Sequence, residues 1–332
     1  MIISKTPFRV SFFGGGTDHP AWFKEHGGKV LATTIDKYCY ISCRILPPFF
    51  DHKHRIVYSK IENVRDFHEI EHPAVRAVLQ TFNMECGIEI HHDGDLPARS
   101  GLGSSSAFTV GLLNAMHALK GRYRSSSQLA EEAIYIEQEV LKENVGVQDQ
   151  ISSAFGGFNL IRFDPDGKYK ITPCVLPAER LNALCDHLML FFTGISRYSS
   201  DLIKSQLENI ENCKAELNSI GQMVDEASNI LFSVKTPLRE FGLLLDKAWE
   251  QKRKLSENVS NATLDAIYSA AQSAGAIGGK LLGAGGGGFF LLFVSPERQS
   301  EVRQKLAKLT EVPFRFEPEA SKIVLYHPDG FK

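Results

Sequence analysis

The sequence lacks a strong excess of charge of either sign. Its 332 residues include 37 lysines and arginines against 39 aspartates and glutamates, which gives a formal net charge of −2 at pH 7. Proteins that bind nucleic acids or membrane surfaces usually carry a basic excess, so this balance supports neither partner. Long hydrophobic runs are also missing, because no apolar stretch reaches the roughly 18 residues that span a bilayer. The first residues, in which polar side chains interrupt a strand pattern, do not resemble a signal peptide.

Cysteine pairs with metal-binding spacing are missing as well. The six cysteines are scattered along the chain without CxxC spacing. Cys39 and Cys43 would share one face of a predicted strand, but no Cys/His pair lies near them, and we interpret both as buried thiols. Scattered thiols are typical of a reducing cytosol, which predicts a cytoplasmic protein.

The most informative segment that is present covers residues 96–107, LPARSGLGSSSA, followed by an apolar-periodic run. Apolar residues recur in that run at three- and four-residue spacing, which predicts a helix. The serines would lie at its N-terminus, where backbone N–H groups lack partners and the helix dipole is positive. Gly101 and Gly103 have no Cβ and allow a ligand to approach the backbone. The segment therefore predicts an anion site suited to phosphate, with a serine hydroxyl suited to Mg²⁺.

This segment has neither the form of a Walker A loop, which ends in Gly-Lys-Ser/Thr, nor that of GxGxxG after a strand. A P-loop or Rossmann nucleotide site is therefore not indicated. An alternative interpretation is that the serines cap the helix and the glycines form a tight turn. Two further glycine clusters weaken this alternative, at residues 14–16 after the strand pattern FRVSFF and at residues 283–288 before a fully apolar strand. The three clusters together suggest a backbone packed closely around one polyanionic ligand.

The order of strand and helix patterns predicts the fold class. The chain is long enough for one large or two medium domains, and its hydrophobic content of 43% is ample for their cores. Strand patterns dominate up to residue 92, and helical patterns follow at 105–119, 127–143, 199–232, 237–254 and 263–276. Strand patterns return at 158–163, 169–172, 188–193, 288–294 and 313–317. Because the two kinds of pattern are partly segregated, we expect an α+β fold rather than a doubly wound sheet.

The three glycine clusters resemble, in order, the three motifs of the GHMP kinases, named for galactokinase, homoserine kinase, mevalonate kinase and phosphomevalonate kinase. Arg9, Gly14, Thr17 and Asp18 match the sugar-kinase form of the first motif. Residues 97–105 match the P-x-x-x-G-L-G-S-S nucleotide loop, and residues 283–288 match G-A-G-x-G-G. The resemblance extends over essentially the whole chain.

This resemblance implies a two-domain α+β fold with the active site between the domains. It places an N-terminal domain similar to domain 2 of ribosomal protein S5 at residues 1–182, and a ferredoxin-like C-terminal domain at residues 183–332. It further implies ATP and Mg²⁺ as cofactors, a small sugar or sugar phosphate as substrate, and no nucleic-acid or membrane partner. The oligomeric state is left open, with a homodimer as one option.

The same resemblance assigns the nucleotide and metal sites. Ser105 and Glu137 would be the protein ligands of Mg²⁺, which prefers hard oxygen donors. The alternative for Glu137 is a solvated charge on a helix face, and Glu139 is the rival ligand. The nucleotide phosphates are expected to lie on the loop that contains Pro97, Arg99, Ser100, Gly101, Leu102, Gly103, Ser104 and Ser105.

The catalytic pair is assigned in the same way. Asp149, in GVQDQISSAFGG, matches the family aspartate that faces the substrate hydroxyl and accepts its proton or orients it. The alternative is a loop aspartate that caps the following turn. Arg9 matches a first-motif arginine near that aspartate, where its charge would hold Asp149 ionised and stabilise negative charge on the transferred group.

The remaining candidates are expected to bind the substrate. Asp18 would accept hydrogen bonds from sugar hydroxyls, although its alternative is a turn residue before Pro20. A substrate that carries a phosphate needs fixed positive charge, and Arg197, Lys252 and Arg253 are the candidates for it. For the last two, the alternative is a solvated helix end. The first motif adds Gly16 and Thr17, and the third adds Gly283, Ala284, Gly285 and Gly286.

A finer resemblance points to one subgroup. The forms FRVSFFGGGTD, GVQDQISSAFGGFN, FFTGISRYSSDL and AWEQKRKLSENVSN are similar to the bacterial D-glycero-D-manno-heptose 7-phosphate kinases. Galactokinases carry Gly-Glu-His-Thr-Asp in the first motif, and the Glu and His that help hold galactose are absent here. The implied reaction is phosphorylation of the anomeric hydroxyl to the 1,7-bisphosphate. A kinase for an unphosphorylated sugar of the fucose or galactose type is one alternative, and a non-catalytic nucleotide- or sugar-binding regulator is a second.

Overall fold

The computed structural model describes residues 1–98, 100–195 and 209–328. Two of the expected site residues, Arg99 and Arg197, lie outside these ranges. Among the described residues, no helix combines the length and the apolar character needed to cross a membrane. All six cysteines are free thiols, and Cys39 and Cys43 are buried.

The first sheet is built around two long strands, β1 (Ile2–Phe13) and β2 (Gly28–Ile45). Within the described ranges it has eight strands in the order β12-β1-β2-β5-β3-β4, with β6 beside β2 and β7 beside β6. β1 ends where Gly14 takes a φ of 88°, and a Cβ there would lie 2.0 Å from the Lys29 carbonyl oxygen. Only glycine fits such a turn. The other strands are β3 (His54–Val57), β4 (Ile61–Val64), β5 (Ile88–Gly94), β6 (Phe158–Phe163), β7 (Tyr169–Pro173) and β12 (Lys322–Tyr326).

The second sheet has the ferredoxin-like order. Its strands β8 (Leu188–Phe192), β9 (Ala276–Leu281), β10 (Phe289–Val294) and β11 (Thr310–Glu311) run antiparallel in the order β11-β8-β10-β9. Every residue of β10 is buried, because hydrophobic side chains pack on both faces of this sheet. This explains why β10 is a continuous apolar run without alternation.

Ten α-helices in the described ranges cover the two sheets. The helix with the most buried residues is α3, which packs against β1 and β2. The absence of a side chain at Gly111 allows α3 to lie close to β1, because a Cβ there would be 2.9 Å from Thr6 Oγ1. The helices are α1 (Pro20–His26), α2 (Pro73–Thr81), α3 (Ser104–Leu119), α4 (Ser126–Tyr135), α5 (Gln148–Phe155), α6 (Ala178–Asp186), α7 (Lys214–Phe232), α8 (Arg239–Arg253), α9 (Ala262–Ser273) and α10 (Gln299–Lys305).

The chain does not divide into two uninterrupted domains. The expected boundary between residues 182 and 183 falls inside α6, and the last strand, β12, pairs with β1 in the first sheet. A C-terminal domain of 183–332 would thus separate β12 from its own sheet. We propose that the boundary lies before α6, which contacts β8 of the second sheet, and that the first domain also includes the returning segment that carries β12.

An aromatic cluster joins the two sheets. Phe241 on α8 contacts Phe12 and Phe13 at the end of β1, with ring centroids 5.4 and 5.1 Å apart, and it also contacts Phe293 on β10. The Phe241 side chain is fully buried. Edge-on aromatic packing of this kind stabilises beyond the burial of area alone. Phe241 therefore connects the end of β1 in the first sheet to β10 in the second.

Several secondary-structure predictions need correction. Within the strand-rich first 92 residues, the sequence predicts separate strands at 29–35 and 38–46, but the structure has one strand there, β2. The predicted helix 263–276 ends at Ser273, because β9 begins at Ala276. The predicted strand 313–317 contributes only an isolated bridge between Ile35 and Phe316. The short helices α1 and α2 were not predicted, since each is too short for a helical period to emerge.

Replacement of Phe241 by alanine tests the aromatic cluster. We expect Phe241→Ala to lower the free energy of unfolding by about 3–5 kcal/mol, because it leaves a cavity between the sheets. Phe232→Ala, at the half-exposed end of α7, is the matched control and should change it by less than about 0.5 kcal/mol. Urea denaturation measures both values. If Phe241→Ala lowers the free energy of unfolding no more than Phe232→Ala does, Phe241 does not stabilise the contact between the two sheets.

Candidate active site

The second and third glycine clusters meet at one place, and they do so by close backbone contact. A Cβ on Gly101 would lie 2.5 Å from the Leu282 carbonyl oxygen, and a Cβ on Gly288 would lie 2.3 Å from that of Ser100. The third cluster therefore packs against the backbone of the second. Since the two clusters belong to different sheets, the cleft at this point is formed by both domains.

The segment from residue 100 to α3 has the geometry of an anion site. Gly103 occupies the N-cap position with a left-handed φ of 72°, and no side chain caps the helix. This result argues against the interpretation that the serines serve as caps. The positive end of the α3 dipole at this point favours a negatively charged ligand. Ser100 and Leu102 are buried beneath the loop, whereas Pro97 and Ser105 are exposed.

Arg9 and Asp149 form a bidentate ion pair beside this helix start. Arg9 Nε and Nη2 donate to the two carboxylate oxygens of Asp149 at 2.7 and 2.9 Å, and Nη1 donates to the Gly101 carbonyl oxygen at 2.7 Å. The Arg9 side chain is 5% exposed and that of Asp149 is 27% exposed, so the carboxylate opens to the cleft. A Cβ on Gly103 would lie 3.4 Å from Asp149 Oδ2, which places the carboxylate against the anion site.

Glu137 lies on a π-helical segment, Ile136–Val140, that interrupts the predicted helix 127–143. Such segments are frequent at functional sites. Burial raises the pKa of Glu137 to about 7, against the opposing effect of nearby donors that include Gln150 and Ser106. Gln150 Nε2 and Ser106 Oγ both donate to Oε2, at 2.5 and 2.9 Å. The other oxygen, Oε1, is buried without a partner among the described residues.

The donor set at Glu137 fits a magnesium ion. A buried carboxylate oxygen without a partner is a costly feature that a cation would relieve. No three carboxylate, imidazole or thiol groups cluster in the described ranges, so the remaining ligands would be hydroxyl, phosphate and water oxygens, as Mg²⁺ prefers. Glu139 is exposed and pairs with Lys142 at 3.1 Å, which favours Glu137 over its rival.

Two polar residues of this site were missed by the sequence analysis. Ser106, rather than the predicted Ser105, contacts Glu137, and Gln150 connects Glu137 to the helix of Asp149. In the sequence, Ser106 is the third of three consecutive serines and Gln150 directly follows Asp149, so both positions could have been considered as contacts of Glu137. Ser105 stays a prediction as a metal ligand.

Asp18 braces the loop that carries the catalytic candidates. Its two carboxylate oxygens accept from the backbone N–H groups of Gly16 and Gln148, at 2.9 and 3.3 Å. A Cβ on Gly146 would lie 2.0 Å from Asp18 Oδ2, so this loop is packed directly onto the carboxylate. Burial, followed by the charge of Asp149, raises the pKa of Asp18. Both oxygens retain a lone pair, and a sugar hydroxyl remains an additional donor that they can accept.

Several expected substrate contacts have other partners. The Thr17 hydroxyl is buried and bonds to Gly14 and Lys29, and therefore shapes the loop. Lys252 Nζ donates to the carbonyl oxygens of Leu281 and Gly283, and Arg253 is exposed and pairs with Asp265 at 3.0 Å. These partners argue against the phosphate role predicted for Lys252 and Arg253.

The third glycine cluster is likewise a packing feature. A Cβ on Gly283 would lie 2.4 Å from Gly101 Cα, and one on Gly285 would lie 2.8 Å from Val259 Cα. Gly286 N–H donates to the Val259 carbonyl oxygen at 2.9 Å. Backbone approach, rather than a sugar, accounts for these glycines. Ala284, which lies between them, stays a prediction as a substrate contact.

Comparison with known proteins assigns the family. The GHMP kinases N terminal domain model matches residues 69–157, and the GHMP kinases C terminal model matches residues 233–311. The chain is 30% identical over 325 residues to D-glycero-alpha-D-manno-heptose 7-phosphate kinase of Campylobacter jejuni, over 92% of this chain and 93% of that one. The chain belongs to the GHMP kinases. As a member of this family, it is a sugar kinase, a phosphotransferase with an alcohol group as acceptor that uses ATP and Mg²⁺.

A second curated protein and a solved structure are also similar to this GHMP kinase. L-fucokinase/L-fucose-1-P guanylyltransferase of Bacteroides fragilis is 25% identical over 346 residues, over 91% of this chain and 35% of that one. The crystal structure of a D-glycero-D-manno-heptose 1-phosphate kinase from Bacteroides thetaiotaomicron covers 98% of this chain and 100% of its own, with a TM-score of 0.80 and 24% identity. The latter supports the fold.

The raised pKa of Glu137 leads to a stability test. The folded state keeps the proton between pH 4.5 and about 7 while the unfolded state releases it, so the free energy of unfolding falls as the pH rises through this range. The full effect is on the order of 3 kcal/mol. We expect Glu137→Gln to raise the Tm by several degrees at pH 8 and to change it little at pH 5, while turnover collapses.

Thermal melts at the two pH values, with steady-state assays alongside, measure these effects. Glu139→Gln is the matched control, because its carboxylate is exposed, and it should leave both Tm and turnover unchanged. An equal change of Tm by Glu137→Gln at pH 5 and pH 8 would show that burial does not shift this pKa.

Asp149 has a test of its own. We expect Asp149→Asn to lower kcat by at least about 10²-fold, since a general base usually contributes 10²–10⁴-fold, while calorimetry still detects ATP binding. Asp166→Asn removes an exposed carboxylate in a surface turn and should leave kcat unchanged. A folded Asp149→Asn enzyme with near-normal kcat would exclude the catalytic role.

Proposed function

We propose that the protein transfers the γ-phosphoryl group of ATP to the anomeric hydroxyl of D-glycero-D-manno-heptose 7-phosphate. The product is the 1,7-bisphosphate, which serves the synthesis of nucleotide-activated heptose. The observation that carries the chemistry is the Asp149 carboxylate, held by Arg9 against the N-terminus of α3. The near full-length likeness to the Campylobacter jejuni heptose 7-phosphate kinase supports the choice of sugar.

The proposed reaction needs an oriented hydroxyl and a stabilised phosphoryl group. Asp149 accepts the proton of the sugar hydroxyl, whose oxygen forms a bond to the γ-phosphorus as the bond to the bridging oxygen of ADP breaks. Arg9 fixes the carboxylate through two hydrogen bonds and adds positive charge near the transferred group. Glu137 and the serine hydroxyls at the start of α3 would hold Mg²⁺, which supplies charge neutralisation when bound.

The sugar pocket in this proposal lies beside the first glycine cluster. A Cβ on Gly15 would have no neighbour closer than 3.7 Å, and the atom at that distance is the Gln148 side-chain nitrogen. Gln148 Oε1 is buried and has no partner among the described residues, which makes it a candidate acceptor for a sugar hydroxyl. The room at Gly15, where galactokinases carry one of their two larger side chains, supports a sugar other than galactose.

The substrate phosphate needs a cation in this proposal. Because Lys252 and Arg253 are engaged elsewhere, Arg197 is the candidate that remains of the three. A kinase for a free sugar of the fucose type is the second candidate function, favoured by the likeness to the fucokinase of Bacteroides fragilis. A non-catalytic regulator is disfavoured, because Arg9 holds Asp149 and Gln150 connects the helix of Asp149 to Glu137.

A substrate panel tests the proposal. We expect kcat/KM for heptose 7-phosphate to exceed that for free heptose, fucose and galactose by at least about 10–150-fold, the value of one hydrogen bond to a charged group at roughly 1.5–3 kcal/mol. Arg197→Ala should lose most of this preference and keep the KM for ATP. Arg253→Ala is the matched control, since its guanidinium already pairs with Asp265. A free sugar that outperforms the sugar phosphate would refute the heptose phosphate substrate.

A further inference from the structure

Two lysines near Arg9 have no carboxylate partner among the described residues. Lys280 on β9 is 6% exposed, and its ammonium donates to the Phe12 carbonyl oxygen at 2.9 Å. Lys252, in the last turn of α8, donates to the carbonyl oxygens of Leu281 and Gly283. Within the described part of the chain, neither ammonium has a carboxylate oxygen within 4.0 Å. A buried cation without a counter-ion is costly, so its retention calls for a reason.

The lysines share their surroundings with a third cation. Burial, then the charge of Arg9, lowers the pKa of Lys280 to about 7, and Asp18 opposes the shift. Burial, then the charges of Lys280 and Arg9, lowers the pKa of Lys252. Of the charged groups that face this cluster, Arg9 is neutralised by Asp149, and Asp18 is bonded to backbone N–H groups. When both lysines are protonated, three cations face two carboxylates, and the excess is positive.

Lys280 lies between the first glycine cluster and the loop at Gly101. Its acceptor, Phe12, stands two residues before Gly14 of the first glycine cluster. β9 then leads directly to Gly283, which touches Gly101 of the phosphate loop. An ammonium group has three donors, and Lys280 uses one of them on Phe12. Two donors of a buried cation are therefore left for a ligand beside the Arg9–Asp149 pair.

We propose that Lys280 is a phosphate-binding residue of the transfer site, a cation that the ferredoxin-like domain contributes to the polyphosphate of the nucleotide. The ligand class is a polyphosphate anion, whose charge relieves the repulsion among the three cations. Binding then links β1 of the first domain to β9 of the second through one ammonium. The inference rests on the phosphotransferase activity, and it does not depend on which sugar is the acceptor.

The competing explanation is that Lys280 only tethers the Phe12 carbonyl. Three substitutions distinguish phosphate binding from a tether. Lys280→Met removes both the charge and the hydrogen-bond donor. Lys280→Gln keeps a donor without the charge, and Lys280→Arg keeps the charge. The matched control is Lys168→Met, which removes an exposed lysine in a surface turn. For each variant we would measure the Tm with and without inorganic tripolyphosphate, and kcat and KM for ATP with the best available acceptor.

If Lys280 binds phosphate, Lys280→Met and Lys280→Gln should both keep or raise the Tm of the free protein. Both should also show a smaller rise of Tm on addition of tripolyphosphate, and kcat/KM for ATP lower by about 10–150-fold. Lys280→Arg should recover a large part of the Tm response to tripolyphosphate and of kcat/KM for ATP. Lys168→Met should match the unsubstituted protein in both measurements.

Recovery by Lys280→Gln of the full tripolyphosphate response and of kcat/KM would overturn the proposal in favour of a tether. A Lys280→Met variant with a lower Tm but an unchanged response to tripolyphosphate would overturn it as well. If Lys280→Met does not fold, the comparison of Lys280→Arg with Lys280→Gln decides the question alone. Because the thermal measurement contains no sugar, a failure of the heptose phosphate proposal would leave its outcome unaffected.

Discussion

The Arg9 guanidinium is the interaction on which the site depends. It holds both oxygens of Asp149 and the Gly101 carbonyl oxygen, and the backbone N–H of the same residue donates to the Leu102 carbonyl oxygen at 3.1 Å. One residue of β1 therefore fixes the phosphate loop and the catalytic carboxylate relative to each other. Planar donors on a rigid strand suit this task, because a bidentate contact sets orientation as well as distance.

Three buried titratable residues near this pair lower the stability of the folded protein when they are charged. Glu137 and Asp18 are carboxyl groups whose pKa values burial raises, and Lys280 is an ammonium group whose pKa burial lowers. All three shifts disfavour the charged form that ligand binding requires. Shifts of this kind cluster at functional sites, where ligands supply the missing partners. The aromatic cluster around Phe241 and the two hydrophobic cores offset this local cost by packing.

The fold class and the central site were predictable from the sequence because they leave local signals. The α+β architecture, the helix after residue 103 and the fully apolar β10 follow from periodicity, and family motifs pointed to Arg9, Asp149 and Glu137. Other features depend on the folded chain. The π-helical segment around Glu137 breaks no sequence period, and the pairing of β12 with β1 joins residues more than 300 positions apart. Ser106 and Gln150 are visible in the sequence as polar residues, but only packing decides which of several neighbouring polar side chains contacts Glu137.

The third glycine cluster shows why glycine alone is an ambiguous signal. Glycine is needed wherever backbone is approached closely, whether by a phosphate or by another strand of protein. Gly103 is an example of the first condition in the proposed site, since it occupies the N-cap position of α3, where the helix dipole is positive. Gly283 and Gly285 meet the second, since backbone atoms of Gly101 and Val259 would occupy the space of their Cβ atoms. What distinguishes the two cases is the direction of the neighbouring N–H groups, which only the folded chain defines. The cluster at residues 283–288 thus supports, by backbone contact, the loop that we propose to bind the nucleotide.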